Sequence, residues 1–120
     1  MSYIRGIRGA ISVPKNTKDE IVSSTMTLLR KMAGLNKIKA QDIASVVFSM
    51  TKDLNAEFPA IAARKLGWKN TPLLCTYEVD VPGSLPRCIR VIMHVNSGKD
   101  QSAIKHVYLK DAKKLRPDLG

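Results

Sequence analysis

Cys88-Ile89-Arg90-Val91-Ile92-Met93-His94-Val95 is the longest apolar stretch of the chain and predicts a long β-strand. Side chains alternate between the two faces of a strand, so Arg90 shares a face with Cys88, Ile92 and His94. A buried cation in such a strand is costly to the fold, and residues that break the packing pattern in this way tend to mark function. Arg90 is therefore the first candidate for a functional residue.

Four further segments have strand patterns and are bounded by turn residues. A Pro-Gly-Ser turn at residues 82–84 precedes the long strand, and a polar loop at residues 96–98 follows it. The four additional strands are predicted at Tyr3 to Ile11, Ile43 to Met50, Leu73 to Val81 and His106 to Leu109.

Two segments have helical patterns. The first follows the break at residues 14–16, where Thr17 and Glu20 predict a capping box and apolar residues then recur at helical spacing as far as Asn36. The second is short and is predicted between Pro59 and Gly67. Each helix lies between two predicted strands.

The resulting order, β-α-β-α-β-β-β, predicts an α+β fold in which a mixed five-stranded sheet is covered by helices on one face. The other face is left open to a partner. The chain has 120 residues, of which 44% are apolar, and this is the size of one compact domain. Residues 1–120 are therefore expected to form a single domain.

The charge balance is strongly basic, since 20 Lys and Arg against 10 Asp and Glu give a formal net charge of +10. Such a protein is expected to bind an anionic partner. Nucleic acid is one candidate, but aromatic residues make up only 5% of the chain and occur singly, which provides no base-stacking surface. A small polyanionic substrate or metabolite is equally compatible with the charge.

The sequence gives no support for a metal or cofactor site, for catalysis by histidine, or for a secreted or membrane protein. His94 and His106 are the two histidines, and no Cys pair has ligand spacing, so neither a metal nor a cofactor is expected. Neither histidine has an obvious carboxylate partner for acid-base work. The chain has no secretory signal and no membrane-spanning stretch, which predicts a cytoplasmic protein. There Cys75 and Cys88 are expected as thiols, although their spacing also allows a disulfide.

Two other charged residues interrupt apolar strands: Arg8 in the first strand and Glu78 in the third. The simplest interpretation of Arg8, Glu78 and Arg90 is that each is a rim charge paired with a neighbour. The functional interpretation is that the two guanidiniums converge on carboxylates or on a polarised oxygen, for which the planar Arg fork is suited. Tyr108 is either a hydroxyl donor beside them or a core or interface tyrosine.

Six ordered blocks of the chain resemble the monofunctional AroH-class chorismate mutases, and the likeness runs from end to end. A set of blocks at the family's spacing is far more specific than any single motif. The blocks are Ile4-Arg5-Gly6-Ile7-Arg8-Gly9-Ala10, Asp53-Leu54-Asn55-Ala56-Glu57-Phe58-Pro59-Ala60, Cys75-Thr76-Tyr77-Glu78-Val79-Asp80-Val81, Arg87-Cys88-Ile89-Arg90-Val91, His106-Val107-Tyr108-Leu109 and Leu115-Arg116-Pro117-Asp118-Leu119.

The resemblance implies a ferredoxin-like chorismate mutase fold and a homotrimer that forms a pseudo-α/β-barrel, with active sites between subunits. It also implies the rearrangement of chorismate to prephenate in phenylalanine and tyrosine biosynthesis, with no metal or cofactor. Such an enzyme holds the dianion in a compact geometry and stabilises negative charge that grows on the ether oxygen. The alternative is a small basic module that binds nucleic acid or a metabolite without catalysis.

The resemblance also assigns roles to individual residues. Arg8 and Tyr108 match positions that hold a substrate carboxylate, Arg90 matches the cation at the breaking ether oxygen, and Glu78 matches the acceptor for the ring hydroxyl. A second set matches the ring pocket, the adjoining subunit's contacts or the mobile tail: Leu74, Cys75, Thr76, Tyr77, Phe58, Ala60, Arg64 and Leu115. Ile61 and Leu74 depart from the family pattern.

Strict alternation along the third predicted strand puts Cys75 and Glu78 on opposite faces of the sheet. The roles implied by the resemblance would bring both residues to one pocket. The strand must therefore bend near Tyr77, or one of the two contacts with the substrate is indirect.

Overall fold

The computed structural model describes residues 2–116, which contain five strands, two α-helices and three short 3₁₀ segments. The predicted order of strands and helices is confirmed. The elements are β1 (Tyr3–Ser12), α1 (Lys18–Leu35), β2 (Ile43–Met50), α2 (Ala60–Lys65), β3 (Leu73–Tyr77), β4 (Cys88–Ser97) and β5 (Val107–Leu109), with 3₁₀ segments at Ala40–Asp42, Gln101–Ala103 and Lys110–Leu115.

The five strands form one sheet in the order β3-β2-β4-β1-β5. The central strand β4 is antiparallel to both neighbours, whereas β2 with β3 and β1 with β5 form parallel pairs. The predicted α+β fold with a mixed sheet is thus confirmed. The ferredoxin-like description is wrong, because that fold follows the order β-α-β-β-α-β, while here a helix separates β2 from β3.

The core lies between one face of the sheet and the two helices. α1 packs against β1, and α2 packs against α1 and β3. In β4, Ile89, Val91 and Met93 face this core and are buried, as the alternation predicts. Each fully buried apolar side chain of this size stabilises the fold by roughly 1.5–3 kcal/mol. The opposite face of β4 carries Arg90.

Gly9 in β1 determines how closely α1 approaches the sheet. A Cβ at this position would collide with the Met32 side chain and would lie 3.1 Å from Leu28 Cδ1, both on the buried face of α1. A larger residue would therefore force these two packed side chains to shift. The helix is therefore held tightly behind the strand that carries Arg8.

Hydrogen bonds from side chains fix both ends of α1. Thr17 Oγ1 accepts a hydrogen bond from the Glu20 N–H at 3.2 Å. The Thr17 N–H donates to the carbonyl of Lys15, so the reciprocal half of the predicted capping box is not formed. At the other end, the buried Asn36 side chain exchanges hydrogen bonds with the backbone of Lys105. Asn36 thereby ends the helix, as predicted, and ties it to the segment before β5.

The third strand is shorter than the predicted Leu73 to Val81, since β3 ends at Tyr77. Tyr77 pairs with Met50, the last residue of β2, so no partner strand continues the ladder. The Glu78 N–H still donates to the Met50 carbonyl at 2.8 Å, and the chain then turns away. Val79 and Val81, predicted to be strand residues, are exposed.

The end of the chain also differs from its prediction. β5 begins at Val107 rather than at His106, and the basic stretch that follows it forms the 3₁₀ segment Lys110–Leu115. That segment packs on β1 and β5, where Ala112 is buried against Ala10 on the face opposite α1. The block Pro117-Asp118-Leu119 lies outside the described residues.

Candidate active site

One row of residues crosses the sheet on the face opposite the helices. Facing residues in adjacent strands lie on the same side of a sheet, so Arg90 and Tyr108 share this face. Arg8 lies two residues before Ala10 in β1 and points to the same side. From edge to edge, the row is Thr76, Ser49, Arg90, Ala10 and Tyr108.

Arg8, Arg90 and Tyr108 line one cleft with a volume of about 260 Å³. Leu115 and Arg116 complete its wall from the end of the described chain. None of the described residues that line this cleft is Asp or Glu, so three guanidiniums and a phenol form a surface suited to an anion. Four predicted site residues, Arg8, Arg90, Tyr108 and Leu115, are thus brought together.

Arg116 is a lining residue that the sequence interpretation missed. The signal available was its place directly after Leu115, within a block that resembles the family. The surrounding segment is rich in cations, and Lys113 and Lys114 in that segment are exposed. Charge alone does not show which cation of this segment lines the cleft of Arg8 and Arg90.

Arg90 forms an ion pair with Glu78 beside this cleft, with 3.6 Å between Arg90 Nε and Glu78 Oε1. Glu78 lies two residues after Thr76, so strand alternation already directs its side chain to the Arg90 face, whereas Cys75 packs on the helix side. Within one chain Cys75 and Glu78 therefore lie on opposite faces, and alternation rather than a bend brings Glu78 to Arg90. The Arg90 side chain is 48% exposed, so the expectation of a buried cation is wrong for the single chain. A pair this exposed contributes only about 0–1 kcal/mol, which leaves the guanidinium available to an anion.

Cys75 and Cys88 are both free thiols. Burial raises the pKa of Cys88 to about 11, while the nearby Arg90 cation opposes the shift. Burial also raises the pKa of Cys75, opposed by a hydrogen bond from the backbone of Ala60. Both thiols are therefore protonated at neutral pH and are poor nucleophiles. Cys75 packs against the core under the helices, so within one chain its side chain does not face the cleft of Arg90.

The remaining predicted residues gather at the β3 edge of the sheet. Phe58, Leu74 and Tyr77 are 65%, 62% and 57% exposed there. Since strands lie about 4.8 Å apart, β3 is about 10 Å from β4 and about 19 Å from β5. Within one chain, the residues of this edge group do not line the cleft of Arg90: Phe58, Ala60, Arg64, Leu74, Cys75, Thr76 and Tyr77.

Arg64 has a clear structural contact within this edge group. Its Nη1 donates hydrogen bonds to the backbone carbonyls of Trp68 and Lys69, just beyond the end of α2. Arg64 lies in the last turn of α2, so this contact ties the end of the helix to the loop that follows it. A guanidinium has five N–H donors, so Nε and Nη2 of Arg64 remain able to bind a ligand.

His106 supports the backbone of Arg8. Its Nδ1 accepts a hydrogen bond from the Arg8 N–H at 2.9 Å, which requires that this nitrogen carries no proton. Burial lowers the pKa of His106, and the positive charges of Arg8 and Arg116 lower it further. His106 is therefore neutral at pH 7 and holds a residue of the cleft in place.

We expect the protein to lose stability as the pH falls below about 6.5, the ordinary pKa of His. The folded-state pKa of His106 is lower than that value, so the unfolded chain binds more protons in this window. The stabilisation is complete above the unfolded-state pKa and is lost as the pH falls through the folded-state pKa.

Thermal unfolding of the parent and of His106→Gln between about pH 7.5 and 5.5 measures this effect. The parent should lose a few degrees in Tm, and the variant should lose less because Gln offers an acceptor that does not titrate. Equal losses in the two proteins would contradict the role of His106.

Residues 2–116 contain no group of three or more His, Cys, Asp or Glu that could hold a metal ion. No helix in this part of the chain is long and apolar enough to cross a membrane. The fold and the cleft together define a class of protein: a small α+β protein with a cleft of arginine side chains, suited to a small anion, at the open face of its sheet.

Comparison with known proteins identifies the family. The family model for chorismate mutase type I matches residues 4–119. The chain is 49% identical over 117 residues to chorismate mutase AroH of Thermus thermophilus, covering 97% of this chain and 96% of the relative. It is 47% identical over 118 residues to chorismate mutase AroH of Bacillus subtilis (strain 168), covering 98% and 93%.

A solved structure agrees with this result. The chorismate mutase from Clostridium thermocellum superposes with a TM-score of 0.90 and 58% sequence identity, covering 91% of this chain and 97% of that one. The chain therefore belongs to the type I chorismate mutase family. Its activity is that of an intramolecular isomerase acting on chorismate.

Proposed function

We propose that this chain converts chorismate to prephenate by restraining the substrate and by stabilising charge electrostatically. The observation that carries this mechanism is the convergence of Arg8, Arg90 and Tyr108 on one cleft. In the reaction a carbon–oxygen bond breaks while a carbon–carbon bond forms within one molecule, and no proton has to move. The site therefore needs a fixed geometry and fixed charges rather than a nucleophile or a base.

Each residue of the cleft has a distinct role in this proposal. Arg8 and Tyr108 bind a carboxylate and hold the ether side chain over the ring. Arg90 stabilises the negative charge that develops on the ether oxygen, and such a donor lowers the barrier by roughly 3–4 kcal/mol. Glu78 accepts a hydrogen bond from the ring hydroxyl and, through its ion pair, orients Arg90.

We propose that the active site is shared between subunits of a homotrimer that forms a pseudo-α/β-barrel. The edge group and the Arg90 cleft lie apart on one chain, although both match family positions at the substrate. Phe58, Leu74 and Tyr77 expose apolar surface at the edge group, which a neighbouring subunit would bury. The cleft of one chain would then meet the edge group of the next. We place this single-domain enzyme in the cytoplasm.

Adding chorismate to the purified protein tests the proposed function. The substrate's absorbance should disappear and prephenate should accumulate, with equal rates in the presence and absence of a chelator. Lys31→Ala, which removes an exposed cation of α1, should match the parent, while Arg90→Ala should not. Loss of activity on chelation, or equal rates for Arg90→Ala and the parent, would contradict the mechanism.

A further inference from the structure

The loop that follows β2 makes a dense set of hydrogen bonds with the start of β4. Both carboxylate oxygens of Asp53 accept from the Arg87 N–H, at 3.2 and 3.0 Å. Asp53 also accepts a hydrogen bond from the Thr51 hydroxyl. Thr51 Oγ1 in turn accepts from the Cys88 N–H at 3.0 Å, and the Thr51 N–H donates to the Cys88 carbonyl at 3.0 Å. One carboxylate and one hydroxyl therefore fix the backbone of two consecutive residues.

Arg87 needs this support because its backbone is left-handed, with φ at +47°. Residues with a Cβ are disfavoured in that conformation and keep it only when their surroundings impose it. Here Asp53 holds the Arg87 N–H, while Val13 holds the Arg87 carbonyl and accepts from its Nε. The left-handed residue directs the chain into β4, three residues before Arg90.

The same loop fixes Glu78, the partner of Arg90. Met50 precedes Thr51, and its carbonyl accepts the Glu78 N–H at 2.8 Å. Thr51, Glu78 and Arg90 also line one cleft of about 170 Å³. The backbones that carry both members of the ion pair are thus joined at residues 50–53.

We propose that Thr51 and Asp53 are positioning residues for catalysis, which set the geometry of Arg90 relative to Glu78 and the substrate. The proposal rests on the catalytic role proposed for Arg90. Neither residue touches the cleft of Arg8 and Tyr108, so their effect on the reaction passes through β4 and β3. A displacement of a reacting group by about 1 Å can lower a rate by about a hundredfold. Loss of the hydrogen bonds of Thr51 or Asp53 should therefore lower kcat measurably.

The kinetic test uses Asp53→Ala, Asp53→Asn, Thr51→Val and Thr51→Ser, each with its thermal unfolding curve. We expect Asp53→Ala to lower kcat by about ten- to a hundredfold and Thr51→Val by about tenfold, with KM changed less than about threefold. Thr51→Ser retains the hydroxyl and should keep kcat within about twofold of the parent. If Asp53→Ala does not fold, Asp53→Asn and Thr51→Val provide the kinetic test in its place.

A double-mutant cycle with Arg90 separates positioning from general loss of structure. In an Arg90→Ala background there is no guanidinium to position, so Asp53→Ala should lower kcat by less than about twofold further. Lys52→Ala is the matched control, because Lys52 lies between the two residues in an exposed ion pair with Asp80. It should leave kcat unchanged.

Two results would overturn the proposal: a parental kcat in Asp53→Ala and Thr51→Val, or an equal loss from Asp53→Ala with and without Arg90. The role of Arg90 is tested separately within the same cycle. If Arg90→Ala alone keeps the parental rate, the proposed function fails at that residue, whatever the loop variants do.

Discussion

Arg90→Ala is expected to lower kcat by about a hundred- to a thousandfold, because it removes the cation that meets charge on the ether oxygen in the transition state. Substrate affinity should fall less, since Arg8 and Tyr108 remain in the cleft and still bind a carboxylate. Single-turnover kinetics over a range of chorismate concentrations separates the two effects.

Two further variants at this position distinguish charge from geometry. Arg90→Lys keeps the positive charge but loses the planar fork, so it should recover only part of the lost rate. Arg90→Met removes the charge while filling a similar volume. Because the Arg90 side chain is 48% exposed, the substitution relieves only a small desolvation penalty, and the Tm should stay close to that of the parent.

The unfolding curves provide the control for this series. If all three variants unfold at the temperature of the parent, a loss of kcat reports on chemistry rather than on folding. A near-parental kcat in Arg90→Ala would show that another residue stabilises the ether oxygen. Failure of all three variants to fold would instead assign Arg90 a structural role.

The face on which Arg90 lies was predictable because strand periodicity is a local property. Ile89, Val91 and Met93 alternate with Arg90, and a side-chain period of two leaves no other arrangement for a strand with one buried face. The end of β3 was not predictable in this way. Residues 78–81 have strand-like composition, but β2 ends at Met50 and offers no pairing partner beyond Tyr77. The absence of a partner depends on the tertiary structure and cannot be read from the local sequence.

Long-range contacts account for the other parts of the site that sequence patterns missed. The parallel pairing of β1 with β5 brings Tyr108 beside Ala10, and residues nearly a hundred positions apart carry no local signal for it. The support that Thr51 and Asp53 give has no local signal either, because their hydrogen bonds to Arg87 and Cys88 depend on where β4 starts. The resemblance to the family supplied the roles of Arg8 and Tyr108, which periodicity alone left open.

The Arg90 cleft and the edge group lie apart on one chain, so we expect a second large effect. Activity should return when two inactive variants are combined in mixed trimers. Arg90→Ala and Arg64→Ala chains should each be nearly inactive, yet trimers that contain both should regain activity. A site with no substitution forms wherever an Arg64→Ala chain supplies the cleft and an Arg90→Ala chain supplies the edge group. In a cyclic trimer that contains both chains, one of the three sites has this intact form, so about a third of the parental activity should return.

The matched control pairs two substitutions in the same cleft. Arg8 and Arg90 come from one chain in every site, so mixing Arg8→Ala with Arg90→Ala chains should restore no activity. Because Arg64 also holds the backbone carbonyls of Trp68 and Lys69, Phe58→Asp provides a second edge variant. Phe58 is 65% exposed on the single chain, so the change should spare the fold of the chain. Where light scattering shows that the variant still forms a trimer, its loss of activity reports repulsion of a dianionic substrate.

The mixing experiment uses chains with different tags, which are unfolded together, refolded and purified for both tags. Light scattering of each sample should give three times the chain mass of 13.3 kDa. Recovery with both edge variants, and none in the control, is the expected pattern for a site that spans two subunits. If neither edge variant regains activity with Arg90→Ala, or if a fully active monomer is found, the shared site is wrong, and the edge group must reach the cleft by a rearrangement within one chain.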